Sequence, residues 1–295
     1  MNIGEKIRRL RLSKLMTQAD LAGDCITRNM LCSIERGAAL PSLPTAVYLA
    51  GRLGVPVGFL LAEEGEEFAY RKMTEFPNVK RAFASGDFEG ALALLSASFQ
   101  NEKDDETSLL HAEAEYGSAR RAFEEGHFRR AAAAFDRAME AAGETVYDTA
   151  WMRARTAVYF RYLGGVSPTL ISETLPEEEV ESARAMGDEF CEYCMALDAL
   201  ECGRDGEVSA YLARNGQSLY AARINALTLM KKEEYREAQK ALEALLDHPA
   251  LSLGGLLYEV FGDMEVCSRK NDDYKRAYEF SSSRMNLLER LLEEA

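Results

Sequence analysis

Apolar residues recur at three- and four-residue spacing along almost the whole chain, and the two-residue alternation of a half-buried strand is rare. The pattern predicts an all-α protein. Near the start, Ile3, Ile7 and Leu10 share one face of a first helix. Thr17 precedes a second helix as its N-cap, and Asp20 completes a capping-box-like pair three residues on. After a short connection, Gly23 to Ile26, Thr27 caps a third helix from Arg28 to Arg36, and Gly37 supplies its stop. A fourth helix is expected at about Leu43–Leu53, and Pro56 opens a fifth. Pro44, Pro56, Pro168 and Pro176 all stand where a helix would begin.

Past residue 75 the pattern repeats weakly. Gly86-Asp87-Phe88-Glu89-Gly90-Ala91 recurs as Gly126-His127-Phe128-Arg129-Arg130-Ala131, 40 residues on. Glu233-Glu234-Tyr235-Arg236-Glu237-Ala238 recurs 39 residues on as Asp272-Asp273-Tyr274-Lys275-Arg276-Ala277. Each unit is a turn, an aromatic, then an alanine three positions later. Ala119, Ala122, Gly126, Phe128, Ala131, Phe135 and Ala138 resemble one tetratricopeptide repeat, in which small residues sit where two helices cross. One such hairpin cannot bury its apolar face alone, so a stacked helical solenoid is expected. The middle, about 164–218, fits this repeat poorly; helices can be placed there, but not repeats. The acidic run Glu63-Glu64-Gly65-Glu66-Glu67 marks a change of composition. We therefore expect a head at residues 1–65 and a repeat body at 66–295.

Charge separates the same two parts. The 295 residues carry a net −14, yet residues 1–62 hold eight Lys and Arg against four Asp and Glu, a net +4 that leaves −18 on the remainder. A basic head on an acidic body suggests different partners for each, with phosphate contact left to the head. The charged start lacks the apolar stretch of a signal peptide, and no apolar run approaches the roughly 20 residues of a membrane span. A cytoplasmic protein with no membrane partner is expected, and the six cysteines form no secreted disulfide pattern.

The head carries the chemistry. Two short helices joined by a tight turn form a helix-turn-helix. On the third helix Leu31 and Ile34 point inward with Glu35 beside them, leaving Arg28, Asn29, Cys32, Ser33 and Arg36 on the other side. Arg28 and Asn29 occupy the first turn, the end of a recognition helix that reaches base edges. Arginine pairs bidentately with guanine and asparagine with adenine. Gln18, at the amide end of the second helix, is placed for a phosphate. The candidate DNA-binding set is Gln18, Thr27, Arg28, Asn29, Ser33 and Arg36.

Thr17-Gln18, Leu21-Ala22, Ile34-Glu35-Arg36-Gly37 and Pro41-Ser42-Leu43 resemble the xenobiotic-response-element class of helix-turn-helix, which includes phage repressors. The resemblance covers about the first 60 residues. It implies a five-helix, lambda-repressor-like domain with a pair between Arg11 and Glu35 that locks the first helix to the third. It also implies base contacts at Arg28, Asn29 and Ser33, and phosphate contacts near Gln18 and Arg36. The turn between Ala22 and Ile26 is one residue shorter than the commonest form, and Cys32 stands where serine is usual. A short turn followed by helical repeats is similar to the Rgg/PlcR/PrgX peptide-pheromone regulators. That resemblance implies a homodimer that binds a double-stranded DNA operator and senses a short peptide. The alternative is a protein-interaction scaffold with a head that reads no DNA, and such a scaffold has no need of a basic face on the third helix.

Other chemistry is thin. Trp151, Arg155, Tyr159 and Tyr162, spaced by four, four and three, share one helix face and could line a peptide groove, with Asn225 as a further candidate ligand contact. Cys191-x-x-Cys194, with Cys202 eight residues on, has no histidine nearby and reads as core packing. His111, His127 and His248 are scattered. Glu177-Glu178-Glu179 after Pro176 suits a helix N-terminus. There is no phosphate-cradling glycine loop, nucleophile elbow or metalloprotease helix, so no enzyme, metal or cofactor is expected.

Overall fold

The computed structural model describes residues 2–62, 67–100, 102–171, 187–251 and 254–293. Among them every regular element is a helix and none is a strand. The chain divides into two compact units, residues 1–103 and 104–295. Pro176, Glu177–Glu179 and most of the acidic run at 63–67 lie outside the described residues.

The first unit begins with the five helices expected from the pattern: α1 Ile3–Ser13, α2 Gln18–Ala22, α3 Arg28–Glu35, α4 Leu43–Leu53 and α5 Val57–Leu61. Their ends are set by local chemistry. Thr17 and Asp20 form a reciprocal capping box at α2, Thr27 accepts from the Met30 N–H at α3, and Gly54 closes α4 in the left-handed region. Asn2 and Glu5 make a second capping box at α1. Ile7, Leu21, Leu31, Ile34, Leu49, Leu53 and Leu60 are fully buried and form one core. Two further helices, α6 Glu67–Ala84 and α7 Phe88–Phe99, complete the unit as a hairpin.

The second unit runs α8 Asp105–Glu124, α9 Phe128–Ala142, α10 Ala150–Val166, a 3-10 turn at Pro168–Leu170, then α11 Glu189–Glu201, α12 Asp205–Asn215, α13 Leu219–Lys231, α14 Tyr235–Leu246, α15 Gly255–Lys270 and α16 Tyr274–Leu292. Helices α8 and α9 meet over Ala119, Ala122, Ala131 and Ala138, each at most 2% exposed, so the backbones approach closely. An aromatic cluster fills part of the interior, and a second core gathers Leu242, Leu245, Val260 and Met264. Around Phe190 stand Phe123 and Tyr159 with ring centres at 4.7 Å, and Tyr162 at 5.3 Å.

The turns between paired helices share one backbone solution. Gly86, Gly126, Glu233 and Asp272 all adopt positive φ, between 62° and 83°. In each, the next N–H reaches back five residues: Asp87 to Ala82, His127 to Ala122, Glu234 to Leu229 and Asp273 to Ser268. That is a Schellman-type close of the first helix.

At about 164–218, where the sequence lets helices but no repeat be placed, the described residues hold a further hairpin. Helices α11 and α12 form the same hairpin, with Gly203 at φ 72° and Arg204 N–H on Ala199 O at 2.8 Å. The signal is hidden because Asp205 replaces the aromatic and Val208, only 4% exposed, replaces the alanine. The left-handed turn survives both changes.

Candidate nucleic-acid interface

The head is assembled around a buried ion pair. Arg11 Nε and Nη2 donate to Glu35 Oε1 and Oε2 at 2.7 and 3.0 Å, and Arg11 Nη1 donates to the Met16 carbonyl at 2.8 Å. Gln18 Nε2 adds a third bond to Glu35, at 2.8 Å. Three helices are thus pinned through one carboxylate. Burial opposes the charge on Glu35, but the hydrogen bonds from Arg11 and Gln18, with the Arg11 and Arg8 charges, overcome it and hold the carboxyl below its ordinary value. The bond to Glu35 in turn raises Arg11.

The end of α2 is fixed from α4. Tyr48 OH donates to the Ala22 carbonyl at 3.0 Å, and Arg52 donates to the Asp20 carbonyl. Gly4 lets α1 lie against α3, since a Cβ there would fall 2.0 Å from the Ile34 carbonyl oxygen. With one face of α3 locked, its other face is presented. Thr27, Arg28, Asn29 and Arg36 are exposed, and Ser33 and Cys32 are half-buried. Thr27 doubles as the cap of α3, and the Gln18 amide is engaged with Glu35. Arg8 and Arg9 are exposed on α1. Lys6 and Arg11, counted in the head's positive charge, are buried at 1% and 7% exposure. Lys6 Nζ donates to the Ala62 carbonyl at 2.5 Å and lies 5.7 Å from the Phe59 ring centre, so it serves the end of α5. No local signal marks Lys6 as internal, because its partners lie more than fifty residues away.

The second unit encloses a cavity of about 210 Å³ bordered by α8, α10, α11, α13, α15 and the loop before α15. Tyr162 borders it. Trp151, Arg155 and Tyr159 do not: Tyr159 is buried against Phe135 and Phe190, both at 4.7 Å, while Trp151 meets Tyr116 edge-on at 5.3 Å with the Arg155 guanidinium 5.1 Å from its ring centre. The shared face of α10 therefore turns mostly into the core. Asn225 is exposed on α13, away from this cavity. Phe190, Tyr193 and Tyr220 are further cavity walls that the sequence pattern does not reveal, since they come from two helices that only folding brings together. Cys191 and Cys194 are buried in the core, and burial pushes both thiols well above their ordinary value.

No family model matches the chain. An immunity repressor protein of Bacillus phage phi105 is 37% identical over 65 residues, which are 22% of this chain and 45% of the repressor. The similarity spans less than half the length of that relative. Among solved structures, Bacillus thuringiensis PlcR in complex with the peptide PapR7 and DNA aligns over 99% of both chains at 14% identity, with a TM-score of 0.24. ComR from S. thermophilus, in complex with DNA and its signalling peptide ComS, aligns over 97% of this chain and 99% of its own at 15% identity, with a TM-score of 0.25. No helix among the described residues is long and apolar enough to cross a membrane.

Proposed function

We propose that this protein is a sequence-specific DNA-binding transcription regulator. Residues 1–65 read a double-stranded operator, and residues 66–295 pair two copies and sense a small ligand such as a short peptide. The observation that carries the reading is the presentation of α3: its inner face is locked by Leu31, Ile34 and the Arg11–Glu35–Gln18 network, while Arg28 and Asn29 stand exposed in its first turn. A helix held this rigidly can place an arginine fork and an asparagine amide against base edges in the major groove. Arg36, exposed at the far end, suits a phosphate. The 65-residue likeness to a phage immunity repressor supports the same assignment.

Pairing two heads raises affinity by effective concentration on half-sites about 10 bp apart. A ligand would act by favouring one spacing of the heads. The test is selection of bound sequences from a random duplex pool with the full-length protein. An enriched two-fold-related motif is expected. Binding that depends steeply on salt yet enriches no sequence would reject base reading, and no retention at low salt would favour the interaction scaffold.

A further inference from the structure

The cavity of the second unit is acidic and aromatic, whereas the ligand contacts expected from the sequence included Arg155 and no carboxylate. Three carboxylates border it, those of Glu124, Glu189 and Glu259, and its described lining includes no Lys, Arg or His. Two arginines nearby are engaged, in part with Glu124 and Glu259 themselves, and Glu189 accepts from Ser218 Oγ at 2.6 Å. Arg223, buried beside Glu259, donates to both Asp263 oxygens at 2.6 and 3.1 Å, to Glu259 at 3.2 Å and to Tyr193 OH. Arg120 stands between two carboxylates, 3.5 Å from Glu124 and 3.6 Å from Asp188. The remaining wall is aromatic, with Tyr162, Phe190 and Tyr220 among the rings. Ring faces and carboxylates both favour a cation over an anion. Burial raises the Glu124 carboxyl; the Arg120 charge opposes this, and the Asp188 and Glu189 charges add to it.

The volume, about 210 Å³, lies below the range of cavities that hold whole drug-sized ligands and suits one end of a longer one. A second cavity of about 270 Å³ has Tyr162 and Glu259 in its wall as well, together with Arg161 and Arg284.

We propose that the cavity between α8, α11, α13 and α15 takes an ammonium group on an apolar stem, held by Glu124 and Glu189 at the mouth and by the ring faces within. This rests on the ligand-sensing reading of the helical body. The shared chemistry has two sources: the free amino end of an apolar peptide, or a small aryl-alkyl amine.

The test uses the full-length protein and three probes of similar shape: tryptamine, its uncharged twin N-acetyltryptamine, and its acidic counterpart indole-3-propionate. Binding is read by calorimetry or by ligand-observed NMR. Tryptamine is expected to bind at least tenfold tighter than either twin. In the variant carrying both Glu124→Gln and Glu189→Gln that preference should shrink to about threefold or less, with the circular-dichroism melt serving as the fold check. Equal binding of acid and amine, no binding of any probe, or a preference that survives in a folded double variant would each overturn the proposal. The tripeptide Phe-Leu-Leu, free and N-acetylated, separates the sources: binding abolished by acetylation assigns the site to a peptide amino end, while tryptamine binding without tripeptide binding assigns it to small amines. Operator affinity measured with and without tryptamine keeps the two readings apart, because cation binding that leaves DNA affinity unchanged removes sensing while the cation site stands.

Discussion

Arg11 and Glu35, twenty-four residues apart, meet through two hydrogen bonds of 2.7 and 3.0 Å with both side chains at most 9% exposed. The geometry is bidentate, and each partner is held a second time, Arg11 by the Met16 carbonyl and Glu35 by Gln18. Such a pair adds little net stability over an apolar replacement, but removing one partner strands a buried charge. Arg11→Ala should therefore cost the head about 3–5 kcal/mol. Hydrogen exchange across α1 and α3 in the full chain measures this, and a loss below about 1 kcal/mol would show the pair to be dispensable.

The same pair sets an acid limit. The Glu35 carboxyl titrates below its ordinary value of about 4.3. A depressed folded value means stability that is fully present above the ordinary value and is lost as pH falls through the folded one. Asp20 is depressed too, by the Thr17 hydroxyl and then the Thr17 N–H. Urea melts of the head by NMR should show stability falling below about pH 4. In Glu35→Gln the decline should be shallower, and an unchanged slope would assign acid sensitivity to other groups.

Two glycines make a matched contrast. Gly4→Ala drives a Cβ to 2.0 Å from the Ile34 carbonyl oxygen, where backbone cannot yield without parting α1 from α3. A loss of about 1–3 kcal/mol is expected, as for overpacking elsewhere. Gly51→Ala, inside α4 with nothing within 4 Å of the added Cβ, should gain up to about 1 kcal/mol. Thermal melts of both variants check the pair; equal shifts would mean that α1 and α3 are not held as close as described.

On DNA, the two exposed arginines of the α3 segment should behave differently. Arg28→Ala is expected to cost about 1–3 kcal/mol on the selected operator and to relax preference at one base position. Arg36→Ala should weaken all sequences alike and lower the salt slope by about one. Competition gel shifts at several salt concentrations distinguish them. Sequence-independent weakening by Arg28→Ala would make it a phosphate contact instead.

Much of the head was legible along the chain. Thr17 with Asp20, Thr27, Gly37, Pro56 and the Leu31–Ile34 stripe act within one or two helical turns, and each stands where its local chemistry demands. The repeat turns were legible where glycine or an acidic pair preceded an aromatic, and illegible at Gly203, where Asp205 broke the pattern but not the backbone.

What the sequence determined by itself was the helical class, the starts of α2, α3 and α5, the stop of α3, the extent of α4 and the polar edge of α3, because periodicity and capping depend on neighbours within a few residues. Only tertiary structure decided that Lys6 is internal, that Gln18 bonds Glu35, that Tyr159 is core while Tyr162 borders a cavity, and that Arg223 leaves that cavity acidic. The polar partners behind those outcomes lie 17 to 56 residues away along the chain, and the burial and charge of a side chain are properties of what packs against it.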